Sequence, residues 1–189
     1  MDRLLETASQ TAGPYVHIGL APNAAGLPIW DGRDPGRDMI ADGAAGERVA
    51  LELRILDGLG DPVADAVAEI VQADAAGRFP GQEGRDPHVT GWARRCCGAD
   101  GAFRLDTVRP GPVPHPQGMQ APHLALWIVA RGINLGLHTR IYFEDDDTDP
   151  LLSRLPPSRR RTLVAGRDGD VWRHAIRLQG DGETVFLDV

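Results

Sequence analysis

Six histidines are the side chains of this sequence best suited to binding a metal ion. No two of them stand in a His-x-His or His-x-x-x-His spacing, and they are His17, His88, His115, His123, His138 and His174. Ligands that are distant in sequence can still meet in a fold. An active metalloenzyme with a site built from some of His17, His115, His123 and His138 therefore stays open as an alternative. A structural or surface role for each imidazole is the simpler interpretation.

Nucleophilic chemistry has few candidates here. Cys96 and Cys97 are neighbours, so a disulfide between them would be strained. On a strand one of the two side chains would face in and the other out, and we expect a small, buried, apolar role rather than reactivity. None of the three serines lies in a Gly-x-Ser-x-Gly turn, which excludes the usual serine hydrolase elbow. All 20 basic residues are arginine, so no lysine Schiff base can form. Glycine-rich nucleotide-binding motifs are also absent from the sequence.

The composition predicts a soluble chain with many turns. Its 189 residues include 23 glycines and 15 prolines, and the formal net charge is −7. Negative charge repels phosphate backbones, which argues against nucleic acid binding. No apolar stretch approaches the roughly 20 residues that cross a bilayer, and the first residues do not resemble a signal peptide. We therefore expect a cytoplasmic protein in a reducing environment.

Alternating apolar residues predict β-strands. Val49, Leu51 and Leu53 alternate with smaller or polar residues, which places them on one face of a strand. Asp-Gly pairs flank several such segments and mark tight turns. Seven segments are predicted as strands: 48–55, 64–73, 102–108, 123–130, 136–143, 171–178 and 184–189. This spacing is typical of an all-β protein, a mixed β-sandwich of about seven or more strands.

Outside these strands the sequence predicts one short helix and an extended arm. The helix is expected at 156–165, where three arginines follow two prolines and a serine. Residues 1–46 mix glycine, proline and aspartate and cannot form a core alone, so we expect an N-terminal arm that packs on a partner chain. Residues 47–189 then form the sandwich core of a single domain.

Several segments, taken in order, resemble the intradiol ring-cleavage dioxygenases. They include Thr-Ala-Gly-Pro-Tyr at 11–15, Ala-Pro-His at 121–123 and Ala-Arg-Gly-Ile-Asn at 130–134. The other matching segments are 9–10, 16–20, 68–74, 77–78, 107–111, 137–143 and 179–186. The resemblance spans almost the whole chain. It implies a fold shared with enzymes that hold a non-haem ferric ion through two tyrosines and two histidines. Those enzymes cleave a catechol with O₂ between its two hydroxyl-bearing carbons.

The chain departs from the family at the positions of the iron ligands. Phe79 and Val113 stand where the resemblance places the two tyrosines. His123 keeps the first histidine, but Ala125 replaces the second. Gln120 replaces an arginine three residues before the first histidine. With one ligand of four remaining, we expect this chain to hold no catalytic iron and to be inactive alone.

The loss of these ligands implies a partner that has them. In two-chain members of the family a separate β chain holds Fe(III), and the resemblance makes this chain the non-catalytic subunit of α/β protomers that assemble further. Cleavage of 3,4-dihydroxybenzoate with O₂ to 3-carboxy-cis,cis-muconate would then occur on the β chain. The chain described here would complete the wall of the substrate pocket.

Two segments are the implied pocket wall. Arg131 would face the carboxylate of the substrate, because a guanidinium offers a fork of donors that matches a carboxylate. Thr11, Gly13, Pro14 and Tyr15 would lie against the substrate, with Gly13 free to adopt a positive φ.

Alternatives remain for the whole chain and for single residues. The chain could be an iron-free binding or structural module without a catalytic partner. Arg131 could be a solvent-facing arginine in a turn, and Tyr15 could be packed with its hydroxyl bonded to backbone. His123 could be a relic held by neighbouring hydrogen bonds.

Overall fold

Strands dominate residues 10–188, the part of the chain that this computed structural model describes. Two α-helices are present in that range, α1 (Pro14–Leu20) and α2 (Pro157–Arg160). The strands are β1 (Arg48–Leu56), β2 (Val67–Val71), β3 (Trp92–Cys96), β4 (Ala102–Val108), β5 (Val113–His115), β6 (Gly118–Gln120), β7 (His123–Val129), β8 (Leu137–Tyr142), β9 (Gly166–Asp168) and β10 (Val171–Arg177). Short 3₁₀ turns occur at Trp30–Gly32, Leu152–Arg154 and Arg161–Leu163.

Two four-stranded sheets pack face to face. The first has the order β4-β1-β10-β9, in which β1 and β10 run parallel and the other neighbours run antiparallel. The second has the order β3-β2-β7-β8 and is antiparallel throughout. β5 and β6 form a separate small hairpin. The predicted mixed β-sandwich is therefore confirmed.

The hydrophobic core lies between the two sheets and follows from the alternation in β1. Leu51, Leu53 and Ile55 are fully buried and meet side chains of the second sheet such as Ile70 and Ile128. Fully burying one aliphatic side chain of this size contributes roughly 1.5–3 kcal/mol. This face of β1 therefore helps to determine how the two sheets stack. The stacking in turn positions the turns that connect the strands.

The local elements differ from the sequence prediction at several places. Strands β5, β6 and β9 were not predicted, and the helix expected at 156–165 is α2 (Pro157–Arg160) followed by the 3₁₀ turn Arg161–Leu163. Residues 14–20 form α1, where we expected extended arm; Pro14 at the first helical position supplies a backbone already set for a helix. β3 was not predicted, because arginines and cysteines occupy most of it. In the predicted strand 184–189, the described residues show one bridge, between Leu187 and His138.

The arm contacts its own sandwich as well. Met39 is fully buried in the core, and its carbonyl accepts from the N–H of Thr90 at 2.8 Å. The carbonyl of Gly36 accepts from the N–H of Arg94 at 3.0 Å. These contacts anchor residues 36–39, while the packing of the arm on a partner chain stays a prediction. Among the helices of the described residues, none is long and apolar enough to cross a membrane.

Candidate functional site

Arg131 pairs with Asp65 where the two central strands of the second sheet meet their connecting turns, just after β7 and just before β2. In the antiparallel pair β2/β7, Val67 lies opposite Val129, and the same register continued by two residues places Asp65 opposite Arg131. The backbone N–H and the Nε of Arg131 both donate to Oδ2 of Asp65, at 3.3 and 3.2 Å. Within residues 10–188 its two terminal nitrogens make no hydrogen bond, and its side chain is 81% exposed. The terminal fork of the guanidinium is therefore available to a ligand.

Thr11 contacts the turn that follows β7 and carries Arg131. The N–H of Gly132 donates to Oγ1 of Thr11 at 2.6 Å, and this hydroxyl lies 3.5 Å from the carbonyl oxygen of Ala130. Gly132 has a φ of +90°, a conformation that favours glycine. Thr11 thus ties the N-terminal segment to the turn that carries Arg131.

A cavity of about 250 Å³ lies between these two segments. Its lining residues are Ala12, Gly13, Pro14, His17, Asp65 and Arg131. The structure therefore brings together three of the residues predicted to bind substrate, with Thr11 next to them in the chain. The volume is below the roughly 300–1,000 Å³ of typical ligand pockets. A second surface would have to cover this cavity for a ligand to be enclosed.

The geometry around α1 bears on two of the residues predicted to contact substrate, Gly13 and Tyr15. Gly13 precedes α1 with a φ of −125°, so it does not use the positive φ that is open to glycine. A Cβ added to Gly13 would meet nothing within 4 Å in the described residues, so its lack of a side chain relieves no crowding there. Tyr15 is 84% exposed, which contradicts the alternative of a packed ring. Its contact with substrate stays a prediction that requires a surface outside this chain.

The four positions that the resemblance assigns to iron ligands lie in three separate elements. Phe79 follows β2 in a loop, where its N–H donates to the Gln82 side chain at 2.7 Å. Val113 begins β5 and is buried. His123 and Ala125 lie on one face of β7, and in the β7/β8 register they lie opposite Tyr142 and Arg140.

A buried polar network surrounds His123. Nη1 of Arg140 donates to the Tyr142 hydroxyl at 3.2 Å, and this hydroxyl donates to Oδ1 of Asp149 at 3.3 Å. With its carboxamide oxygen turned toward Arg140, Gln120 accepts from both terminal nitrogens at 3.0 and 3.2 Å. Burial raises the pKa of Tyr142 to about 12, so the phenol stays protonated. A neutral phenol and a guanidinium therefore stand beside the one remaining histidine position.

His123 is held as a neutral imidazole. Burial, reinforced by the positive charge of Arg140, lowers the pKa of His123 to about 4. Its Nδ1 lies 2.8 Å from the carbonyl oxygen of Ala121, and since a carbonyl can only accept, Nδ1 carries the proton. The interpretation of His123 as a histidine held by neighbouring hydrogen bonds agrees with this geometry.

The residues present do not fit a ferric ion. Phe79, Val113 and Ala125 have no side-chain donor atoms, whereas Fe(III) favours anionic oxygen ligands. The cation at Arg140 would also repel a metal ion bound at His123. In residues 10–188 no group of three or more His, Cys, Asp or Glu side chains is arranged to hold a metal. The alternative site built from His17, His115, His123 and His138 therefore gains no support.

Comparison with known proteins settles the family. A sequence model described as Dioxygenase matches residues 31–171. The chain is 42% identical over its whole length to a protein named protocatechuate 3,4-dioxygenase alpha chain from Pseudomonas putida, 98% of which is covered. The chain belongs to the intradiol dioxygenase family. A second alpha chain, from Burkholderia cepacia, is 40% identical over the full length of both proteins.

More distant intradiol dioxygenases share the fold. A Burkholderia cepacia protein named protocatechuate 3,4-dioxygenase beta chain is 30% identical over 64% of this chain and 56% of its own length. The structure of hydroxyquinol 1,2-dioxygenase from Pseudomonas putida matches 75% of this chain and 59% of that enzyme with a TM-score of 0.60 at 22% identity. This intradiol dioxygenase family is iron-dependent.

Sequence reasoning missed Asp65 and the Arg140 network. Asp65 falls within the predicted strand 64–73, whereas the structure places it in a turn before β2, and its pairing with Arg131 depends on the β2/β7 register. Arg140 and Tyr142 alternate in β8, which indicates a shared face, but the face could be assigned to His123 only once the pairing with β7 was known.

Proposed function

We propose that this chain is the non-catalytic alpha subunit of a protocatechuate 3,4-dioxygenase. One observation carries the proposal: the chain keeps an exposed pocket wall with an available guanidinium fork, yet three of its four ligand positions have no donor atom. A chain with this combination can bind the substrate's charged group but cannot activate the ring. Full-length identity of 42% to a protein named as an alpha chain supports the same conclusion.

In this proposal the beta chain holds Fe(III) and the ring is cleaved there. The net reaction adds both atoms of O₂ to 3,4-dihydroxybenzoate and gives 3-carboxy-cis,cis-muconate, so no other oxidant is needed. The present chain binds and orients. Both terminal nitrogens of Arg131 donate to the substrate carboxylate, which fixes the ring by a bidentate contact.

The N-terminal segment provides the rest of the wall. Gly13 and Pro14 present backbone and ring atoms without long side chains to the cavity that Arg131 lines. When the beta chain covers this cavity, water is excluded, which strengthens the contact between guanidinium and carboxylate. Thr11 and Tyr15 complete the proposed substrate-binding set, Thr11 by holding the turn and Tyr15 by contact across the interface.

Oxygen uptake tests the proposal. The chain is purified alone and together with a candidate beta chain that carries the Tyr, Tyr, His, His ligand set, and 3,4-dihydroxybenzoate is added to each. We expect uptake by the complex only. Uptake by this chain alone would overturn the assignment of iron to the partner. Lack of a complex would favour the iron-free binding or structural module.

A further inference from the structure

Asp65 is the group that determines where the Arg131 side chain points. We propose that Asp65 is a positioning residue for substrate recognition, fixing Arg131 so that its terminal fork is presented to the carboxylate of the bound ring. This inference rests on the proposed function.

The hydrogen bonds of Arg131 give the first argument. A single oxygen, Oδ2 of Asp65, accepts from both the backbone N–H and the Nε of Arg131. The side chain is therefore held at both ends of its aliphatic stem. An arginine fork has two usable edges, and engagement of Nε leaves the edge formed by the two terminal nitrogens for a bidentate carboxylate.

The position of Asp65 gives the second argument. It follows Ala64 and precedes Ala66, which is fully buried and whose carbonyl accepts from the N–H of Cys97 at 2.9 Å. Its side chain is 33% exposed, compared with 81% for Arg131. The carboxylate is thus the less exposed partner of the pair, and the pairing removes rotamer freedom of Arg131 before the ligand arrives.

The charge of Asp65 makes the proposal testable. Its carboxylate lines the same cavity as Arg131 and repels an anionic ligand. If Asp65 acted through its charge alone, any neutral replacement would tighten binding of an anion. If it acts by orientation, Asp65→Ala weakens binding, whereas Asp65→Asn keeps an oxygen that accepts from Nε and retains binding.

The experiment uses the complex of this chain with the iron-bearing chain. Competitive inhibition of oxygen uptake is measured with 4-hydroxybenzoate and with 4-hydroxybenzamide, which differ in charge but share the ring. We expect Asp65→Ala to raise the inhibition constant of 4-hydroxybenzoate about 5- to 10-fold and to leave that of the amide within about twofold. Asp65→Asn should leave both constants within about twofold of the unsubstituted complex. Asp106→Asn, which removes the charge of an exposed aspartate paired with Arg104, is the matched control and should change neither constant.

Each other outcome is decisive. Equal effects of Asp65→Ala and Asp65→Asn on 4-hydroxybenzoate, in either direction, would show that orientation is not the role of Asp65. A rise for both inhibitors in Asp65→Ala, with a lowered melting temperature, would assign Asp65 a structural role, which also overturns the proposal. Absence of uptake in the unsubstituted complex would instead disprove the proposed function itself.

Discussion

At the scale of single residues, the proposed function assigns recognition of the substrate carboxylate to Arg131. Replacing it with alanine should raise the KM for 3,4-dihydroxybenzoate roughly 10- to 100-fold, because a hydrogen bond to a charged group contributes about 1.5–3 kcal/mol. Catechol has no carboxylate, so its KM should change less than about twofold. Steady-state oxygen uptake with both substrates checks this. Arg54→Ala, which removes an exposed arginine paired with Asp100, is the control. Equal losses on both substrates would contradict the role of Arg131.

A second residue-scale prediction concerns His123 and acid. The pKa of His123 is about 4 in the folded chain and about 6.5 when unfolded, so the unfolded chain binds more protons between these values. Stability from the neutral imidazole is present above pH 6.5 and is lost as the pH falls toward 4. Between pH 7 and pH 5 the free energy of unfolding should fall by about 2 kcal/mol through this group.

Urea unfolding at the two pH values checks this prediction, with His123→Gln as the comparison. The variant should lose about 2 kcal/mol less than the unsubstituted chain between pH 7 and pH 5. His174, which is buried and whose pKa burial also lowers, is present in both proteins, so the difference isolates His123. An identical loss in both proteins would contradict a neutral, buried His123.

At the scale of elements, Thr11 joins α1 to the turn after β7. Thr11→Val removes the acceptor for the Gly132 N–H and should cost about 1 kcal/mol locally. We expect faster hydrogen exchange of the Gly132 amide and little change in the melting temperature, because Thr11 contributes no core contact. Thr148→Val, in a loop where its hydroxyl contacts Asp146, should leave that amide unaffected. An unchanged rate of hydrogen exchange at the Gly132 amide in Thr11→Val would contradict a stabilising hydrogen bond between Thr11 and Gly132.

The elements also show what the sequence could and could not predict. Strand β1 was predictable because the core buries one of its faces and leaves the alternation visible. Helix α1 was not, since it buries none of its residues and so has no apolar period to detect. The pair of Asp65 with Arg131 depends on strand register, which turn lengths and packing determine together. Resemblance to a family located Arg131 and Gly13, but it carried no information about Asp65.

Association with the partner is the prediction at the scale of the whole molecule. Exposed apolar side chains concentrate in the described part of the arm: Tyr15, Ile18, Leu27, Ile29 and Trp30. Because large exposed apolar surface often marks a protein contact, we expect the arm to contact the proposed beta chain. The double variant Ile18→Asp and Trp30→Ser should therefore reduce co-purification of the two chains at least tenfold, a loss of about 1.4 kcal/mol.

The melting temperature of the isolated double variant shows whether the two substitutions disturb the fold of this chain. Neither Ile18 nor Trp30 is buried in the chain itself, so the melting temperature of the isolated double variant should stay within a few degrees of the unsubstituted chain. Leu59→Asp, which places the same charge on a leucine that is 90% exposed outside the arm, should leave co-purification intact. If Leu59→Asp reduced co-purification equally, added charge rather than the arm would be the cause. If the double variant still co-purified fully, the arm would not be the contact surface.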